Sequence, residues 1–225
     1  MIRLIAVNFT ILFFLGLVAH AAQDGPTFDS RQVPAEGRKP QDFVPVGWRI
    51  GVSAAGDLNG DQVPDQVLQI VPSNNYDTSG VPAAPDSQAM LILLSDHGGL
   101  RRAALSTKLL ATMVPQYILD IGIKNGVVVI HQNFGMTEVT DLTHRFRLEP
   151  TAHRFQLIGK DAFYYHRPQG PRWPATRVSE NYLTGIRLTA TDHWLNDETN
   201  RPRTKRGQVA RARLFLEEIN VSSRY

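Results

Sequence analysis

The chain has 225 residues, a formal net charge of +3 and no cysteine. The absence of thiols excludes a disulfide framework, a thiolate metal site and an acylated-cysteine anchor. Stability has to come from packing, and the length suits one domain with a sizeable core.

The first residues read Met-Ile-Arg, followed by a mostly apolar run from Leu4 to Ala19, broken by Asn8, Thr10 and Gly16, and then Ala19-His20-Ala21. A basic start, an apolar centre and a small-x-small exit predict a signal peptide over residues 1–21, cut after Ala21. The run is short for a span of ~30 Å of hydrocarbon, and no later segment is apolar enough to cross a bilayer. The expected product is an exported chain in the periplasm or outside the cell. Charge is uneven along it: residues 22–100 hold ten acids and four bases, and residues 101–225 hold eleven acids and nineteen bases. A basic half can favour an anionic envelope component; a solvated surface is the plainer alternative. An exported chain without a nucleic-acid-binding motif is not expected to bind nucleic acid.

Residues 22–42 are rich in Gln, Asp, Pro, Gly and Arg without apolar periodicity, which predicts a flexible leader. Order is expected from Phe43-Val44-Pro45-Val46-Gly47-Trp48, opening a β-rich domain over 43–191. An acidic loop, 57–65, runs directly into a strand at 66–71. Residues 72–87 read as loop. Residues 89–95 are a continuous apolar run, consistent with a strand buried on both faces. Residues 103–113 fit either a strand or one short helix, with Leu105, Leu109, Leu110 and Met113 at helical spacing. Asn125-Gly126 between two apolar runs predicts a hairpin over 117–132. The two-residue turn would pair Lys124 with Val127, Ile123 with Val128, Ile121 with Ile130, and Asp120 with His131. A second hairpin is expected at 142–158. There Leu142, His144, Phe146 and Leu148 alternate with polar residues, and Pro150-Thr151-Ala152 turn the chain. Residues 168–176 read as loop and 181–191 as strand. Residues 192–225 read as a basic extension, with a late strand at 209–216. The acidic loop occurs once, so the expected fold is mainly β, a single domain of antiparallel hairpins, and not a full propeller.

The loop reads Asp57-Leu58-Asn59-Gly60-Asp61-Gln62-Val63-Pro64-Asp65. Oxygen-bearing side chains sit at Asp57, Asn59, Asp61 and Asp65, and the Val63 carbonyl falls at the seventh position. Hard cations such as Ca²⁺ take six to eight oxygens, and short loops supply them with this alternation. The helix-loop-helix site is excluded: its twelfth position would be Leu68, its central glycine is Gln62, and a strand follows. The pattern Gly56 to Asp61, then Pro64-Asp65, then an apolar strand, resembles the calcium loops of FG-GAP and VCBS-type repeats. More widely, residues 43–191 resemble a group of exported bacterial proteins carrying one such loop. The likeness lies in Phe43 to Trp48, Ala54 to Asn59, Leu91 to Leu94, the Asn-Gly hairpin, Phe146-Arg147-Leu148, Phe155 to Gly159 and Asn181 to Gly185. Residues 133–141 depart from the Gly-Gly-Ser and Arg-Trp segment expected there. The resemblance implies a β-rich fold with integrin-like loop chemistry and no reaction. Affinity is expected to be weak, on the order of 10⁻⁴–10⁻³ M, without a bidentate Glu. The competing reading is a turn whose acids face water.

Other candidates are fewer. Asp120 and His131 are expected cross-strand neighbours, either half of a hydrolase site or a buried salt-linked pair. Asp192-His193-Trp194 is a second acid–base neighbourhood. His144, His153 and His166 lack metal-pair spacing. Residues 201–213 hold Arg201, Arg203, Lys205, Arg206, Arg211 and Arg213 and no acid, which suits an anionic surface or a solvated tail. The functional expectation is an exported, non-catalytic β-rich protein with a weak structural calcium loop, binding a protein or envelope component. The alternative is an envelope hydrolase using Asp120/His131 or Asp192/His193.

Overall fold

Turn chemistry sets the register of the larger sheet. Asn125 and Gly126 both have left-handed backbones, φ 51° and 72°, the geometry a tight two-residue hairpin needs. β6 (Ile118–Lys124) and β7 (Val127–Phe134) therefore pair Lys124 with Val127, Ile123 with Val128, Ile121 with Ile130 and Asp120 with His131, as expected. The next hairpin joins β8 (Glu138–Glu149) to β9 (Arg154–His166), with Leu148 opposite Phe155. Its ladder shifts between Arg145 and Phe146: Arg145 faces Gly159, Phe146 faces Leu157, and Ile158 bulges out. A bulge changes which side chains point to which face. Phe155 and Leu157 point inward before it, and Lys160 and Ala162 after it.

The structure is a computed structural model that describes residues 26–73, 87–112, 114–167, 174–193 and 203–221. The expected signal peptide lies outside the described residues. A five-stranded antiparallel sheet contains β1 (Glu36–Gly37), β2 (Trp48–Gly56), β3 (Asp65–Pro72), β4 (Ala89–Asp96) and β5 (Gly99–Ser106), in the order β1-β5-β4-β3-β2. A seven-stranded meander carries β6 to β9, then β10 (Pro174–Asn181), β11 (Ile186–His193) and β12 (Arg203–Gln208). The molecule is a single mainly β domain without a closed barrel or propeller.

The sheets share one core. Val67, Met90, Ile92 and Leu94 meet Val128, Ile130, Phe146 and Phe155 across it. The apolar run of β4 is buried on both faces, as expected: Leu91 and Leu93 turn to the opposite side, beside Leu68 and Ile70. Phe28, Val33 and Phe43 cover that second face. Residues 26–42 thus differ from the expected flexible leader, because two isolated apolar side chains anchor them. Burying each contributes on the order of 1.5–3 kcal/mol. Phe28 sits edge-on to Trp48 at 4.8 Å, and Arg102 donates to the Val33 carbonyl at 2.6 Å.

Residues 103–112 resolve as the end of β5 followed by bends, with Leu109 and Leu110 driven into the core; Met113 lies outside the described residues. No α-helix occurs among the described residues. A buried polar chain ties the sheets together here. Gln69 accepts from the Val52 N–H at 3.0 Å, beside a register shift in β2, and donates to Gln88 at 2.7 Å. Gln88 donates to the Ala111 carbonyl, and the Ala111 N–H donates to Gln132 of β7 at 2.8 Å. Every link is satisfied, so the chain fixes one relative placement of the sheets.

Three further boundaries move. Residues 181–191 are not one strand. Asn181 Oδ1 accepts from the N–H groups of Leu183 and Thr184, at 3.1 and 3.0 Å, and Gly185 has φ 73°. This turn joins β10 to β11. The expected loop 168–176 yields to β10 from Pro174. The late strand is Arg203–Gln208 rather than 209–216, and the chain then returns to the core. Leu216 and Val221 are buried, and Phe215 bridges Gln156. The C-terminal part is therefore built into the domain rather than appended to it.

Candidate functional site

The acidic loop connects β2 to β3, and its alternation organises its own backbone. Asp57 Oδ1 accepts from the N–H groups of Asn59 and Gly60, at 3.1 and 2.6 Å, and Oδ2 from Gln62 at 2.9 Å. Asn59 Oδ1 accepts from Asp61 at 3.0 Å, and Asp61 Oδ1 from Val63 at 2.7 Å. Short polar side chains at alternate positions favour such successive side-chain-to-backbone turns. Gln62 takes a left-handed φ of 66° at the loop's sixth position, where glycine is usual in calcium loops. Leu58 is buried in the shared core. A Cβ on Gly56 would lie 2.9 Å from Ile123, so the loop abuts the tip of the β6–β7 hairpin.

Asp65 has a different role. It is fully buried; Oδ2 accepts from the Leu58 N–H and Oδ1 from the Ser95 N–H, both at 2.8 Å. It closes the loop and ties it to the end of β4. Burial pushes its carboxyl up, the two amides pull it down, and the charges of Asp61 and Asp57 push it up again, leaving it above the usual range. Asp57 is held below that range, chiefly by the Gly60 amide.

The donor set is all oxygen, which suits a hard cation. Asp57, Asn59, Asp61 and the Val63 carbonyl are the groups that would hold one. Each carboxylate oxygen has two acceptor positions, so Asp61 and Asp65 keep acceptor capacity beyond their hydrogen bonds. The Asn59 amide, however, donates to Asp61 Oδ2 at 2.8 Å. Among the described residues no three acids or histidines gather closely enough to hold an ion. The oxygens fit a cation in kind; a cation would have to draw them together.

The Asp120–His131 pair differs from expectation. The two are register neighbours, yet His131 Nε2 lies 3.0 Å from Asp141 Oδ1, and Asn133 donates to Asp141 Oδ2 at 3.2 Å. Asp120 is exposed, and His131 and Asp141 are about one-third exposed. The expected buried pair is instead a solvated row on the outer sheet face. Asp141 was legible only by aligning both hairpins, which places it opposite Asn133. Asp192 and His193 end β11, and their side chains, with Trp194, lie outside the described residues. His144 is buried and stacks near Phe146, at 6.0 Å. His153 occupies a left-handed turn position, and His166 ends β9. Arg203, Lys205 and Arg206 lie on the exposed edge strand β12. Arg211 donates to the Thr184 carbonyl at 3.1 and 2.9 Å.

One constellation had no signal in the sequence. His144, Lys160, Glu180 and Arg187 stand opposite one another across β8, β9, β10 and β11. Lys160 lies 2.8 Å from Glu180 Oε2, Arg187 lies 3.5 Å from Oε1, and the Tyr182 hydroxyl donates to Oε2 at 2.9 Å. Burial raises the Glu180 carboxyl, but the Lys160 and Tyr182 hydrogen bonds and the two cations outweigh it and hold it below its usual range.

Comparison with family models, curated proteins and solved structures found no match. No helix among the described residues is long and apolar enough to cross a membrane.

Proposed function

We propose that the protein is an exported, non-catalytic β-rich binding module whose loop 57–65, of the FG-GAP/VCBS type, takes up a calcium ion as a structural element. The observation that carries this reading is the alternation of Asp57, Asn59 and Asp61, each turned back on the loop by its own hydrogen bonds, with a left-handed residue at the sixth position. Asp61 and Asp57 also raise the carboxyl of Asp65, a repulsion that a divalent cation would relieve. The ion would brace the junction of β2, β3 and the β6–β7 tip. The partner is a protein or an anionic envelope component, met in part by the basic edge strand. The Asp120/His131 form of the hydrolase alternative loses support because His131 pairs with Asp141 on an exposed sheet face; Asp192 and His193 have side chains outside the described residues.

The test is thermal unfolding of chelator-stripped protein against Ca²⁺, with Mg²⁺ as control. Ca²⁺ at a hundredfold excess over Kd should raise Tm by roughly 5–10 °C, and Asp61→Ala should remove most of that rise. A wild-type Tm indifferent to Ca²⁺ at ~10–100 mM, a hundredfold over the expected Kd, would return the loop to an ordinary turn.

A further inference from the structure

The inner face of the seven-stranded sheet is only partly covered by the other sheet. Over β8 to β10 the cover is the C-terminal strap, residues 209–221. The strap is held by the Leu157 N–H donating to the Leu214 carbonyl at 2.8 Å and the Val221 N–H to the Lys108 carbonyl at 2.9 Å. Arg154 adds contacts to Glu217 and Glu218 at 3.0 and 3.1 Å. Strap and sheet do not close on each other. A cavity of about 230 Å³ remains between them, walled by Leu142, Leu157, Leu214, Ile219 and Val221, with His144 and Lys160 on its floor. A second compartment, of about 350 Å³, shares Lys160, Tyr164 and Tyr182 with the first and continues to Glu180 and Arg187. Both spaces are partly open to solvent. The first compartment is mostly apolar and the second about half polar; a concave surface with an apolar part and a few convergent polar groups is the usual form of a small-ligand site.

The charges define what fits. Glu180 is 6% exposed and Lys160 13%, so they form a neutral buried pair. Arg187 is 46% exposed, and its 3.5 Å separation from Glu180 is long for a charge-assisted hydrogen bond. The second compartment therefore carries one cation beyond balance, with donors on Lys160 beyond the one Glu180 takes. On the rim of the first compartment, Glu218 is engaged by Arg154. We propose that the chamber binds a small amphipathic monocarboxylate, with its head between Arg187 and Lys160 and its apolar body under the strap among Leu142, Leu157 and Leu214. The site does not rest on the calcium reading, and its test is run in chelator.

The probe is sodium octanoate, titrated calorimetrically into the full chain. Octanol supplies the same tail without charge, and acetate the head without a tail. Octanoate should bind, and both controls should bind at least about tenfold more weakly. Arg187→Gln leaves the buried Lys160–Glu180 pair intact and should weaken octanoate about tenfold while leaving octanol unchanged. Leu214→Trp, placed in the roof away from the charges, should fill the cavity and abolish octanoate binding, with folding checked by circular dichroism. The proposal is overturned if wild-type protein gives no heat with millimolar octanoate. It is equally overturned if octanol binds as well as octanoate, or if a folded Arg187→Gln or Leu214→Trp variant binds octanoate like wild type.

Discussion

At the scale of single residues, Asp65 and Asp61 look equivalent in the sequence and are not equivalent in the fold. Asp61 faces outward, and its loss should affect the response to calcium more than the fold. Asp65 satisfies two amides at a fully buried position. Asp65→Ala would leave both N–H groups without an acceptor, a cost on the order of 2–6 kcal/mol at 1–3 per group. It should appear as a lowered urea midpoint, with and without calcium. The pH dependence follows from the direction of its shift. A carboxyl raised on folding favours the native state when protonated. That stability is present below the ordinary value of 3.8 and is lost as pH rises through the raised folded value. Calcium taken up as proposed would offset the loss only where Asp65 is ionised, so its effect on Tm should shrink as the melting series is taken down through the carboxylate range. Glu180 has the opposite sign. Its folded value is lowered from 4.5, so its contribution is full above 4.5 and is lost as pH falls through the lower folded value.

At the scale of elements, legibility followed local chemistry. The register of the β6–β7 hairpin was readable to the residue because Asn-Gly permits one tight turn and the flanking runs permit one alignment. The two-sided burial of β4 was readable from its unbroken apolar run. Long-range effects were not readable. Phe28 and Val33 carry no period of their own, and only the exposed far face of β4 gives them a role. The bulge at Ile158 is the sharper case. Alternation from Phe155 would send Asp161 inward, and the extra residue sends Lys160 inward instead. The Glu180 partner and the charge of the chamber both depend on that single insertion. Deleting Ile158 should remove the bulge and leave plain alternation from Phe155 through Leu157 to Lys160, so Lys160 stays inward, opposite Glu180. The expected result is a variant that folds and still binds octanoate, with the change in stability read as a shifted urea midpoint. A folded variant that no longer binds octanoate would show that the parity of the strand after Leu157 is not set by the one extra residue.

At the scale of the whole molecule, the chain lays down its sheets in sequence. Residues up to Ser106 complete the smaller sheet, and β6 to β12 form a meander in which each strand pairs with the one before it. The acidic loop and the polar chain of glutamines fasten the two together at different places. The candidate loop was legible because all its oxygens lie within nine residues. The chamber was not, because its groups come from four strands and the strap, and only pairing brings them into one row.

The strap has a consequence for how the molecule comes into being. Leu216 is fully enclosed in the shared core and follows β12 in chain order. The hydrophobic interior therefore lacks one of its closing pieces until the strands of both sheets have been made. A nascent chain whose β12 has just emerged still has an open core, so both sheets are laid down before the piece that locks them arrives.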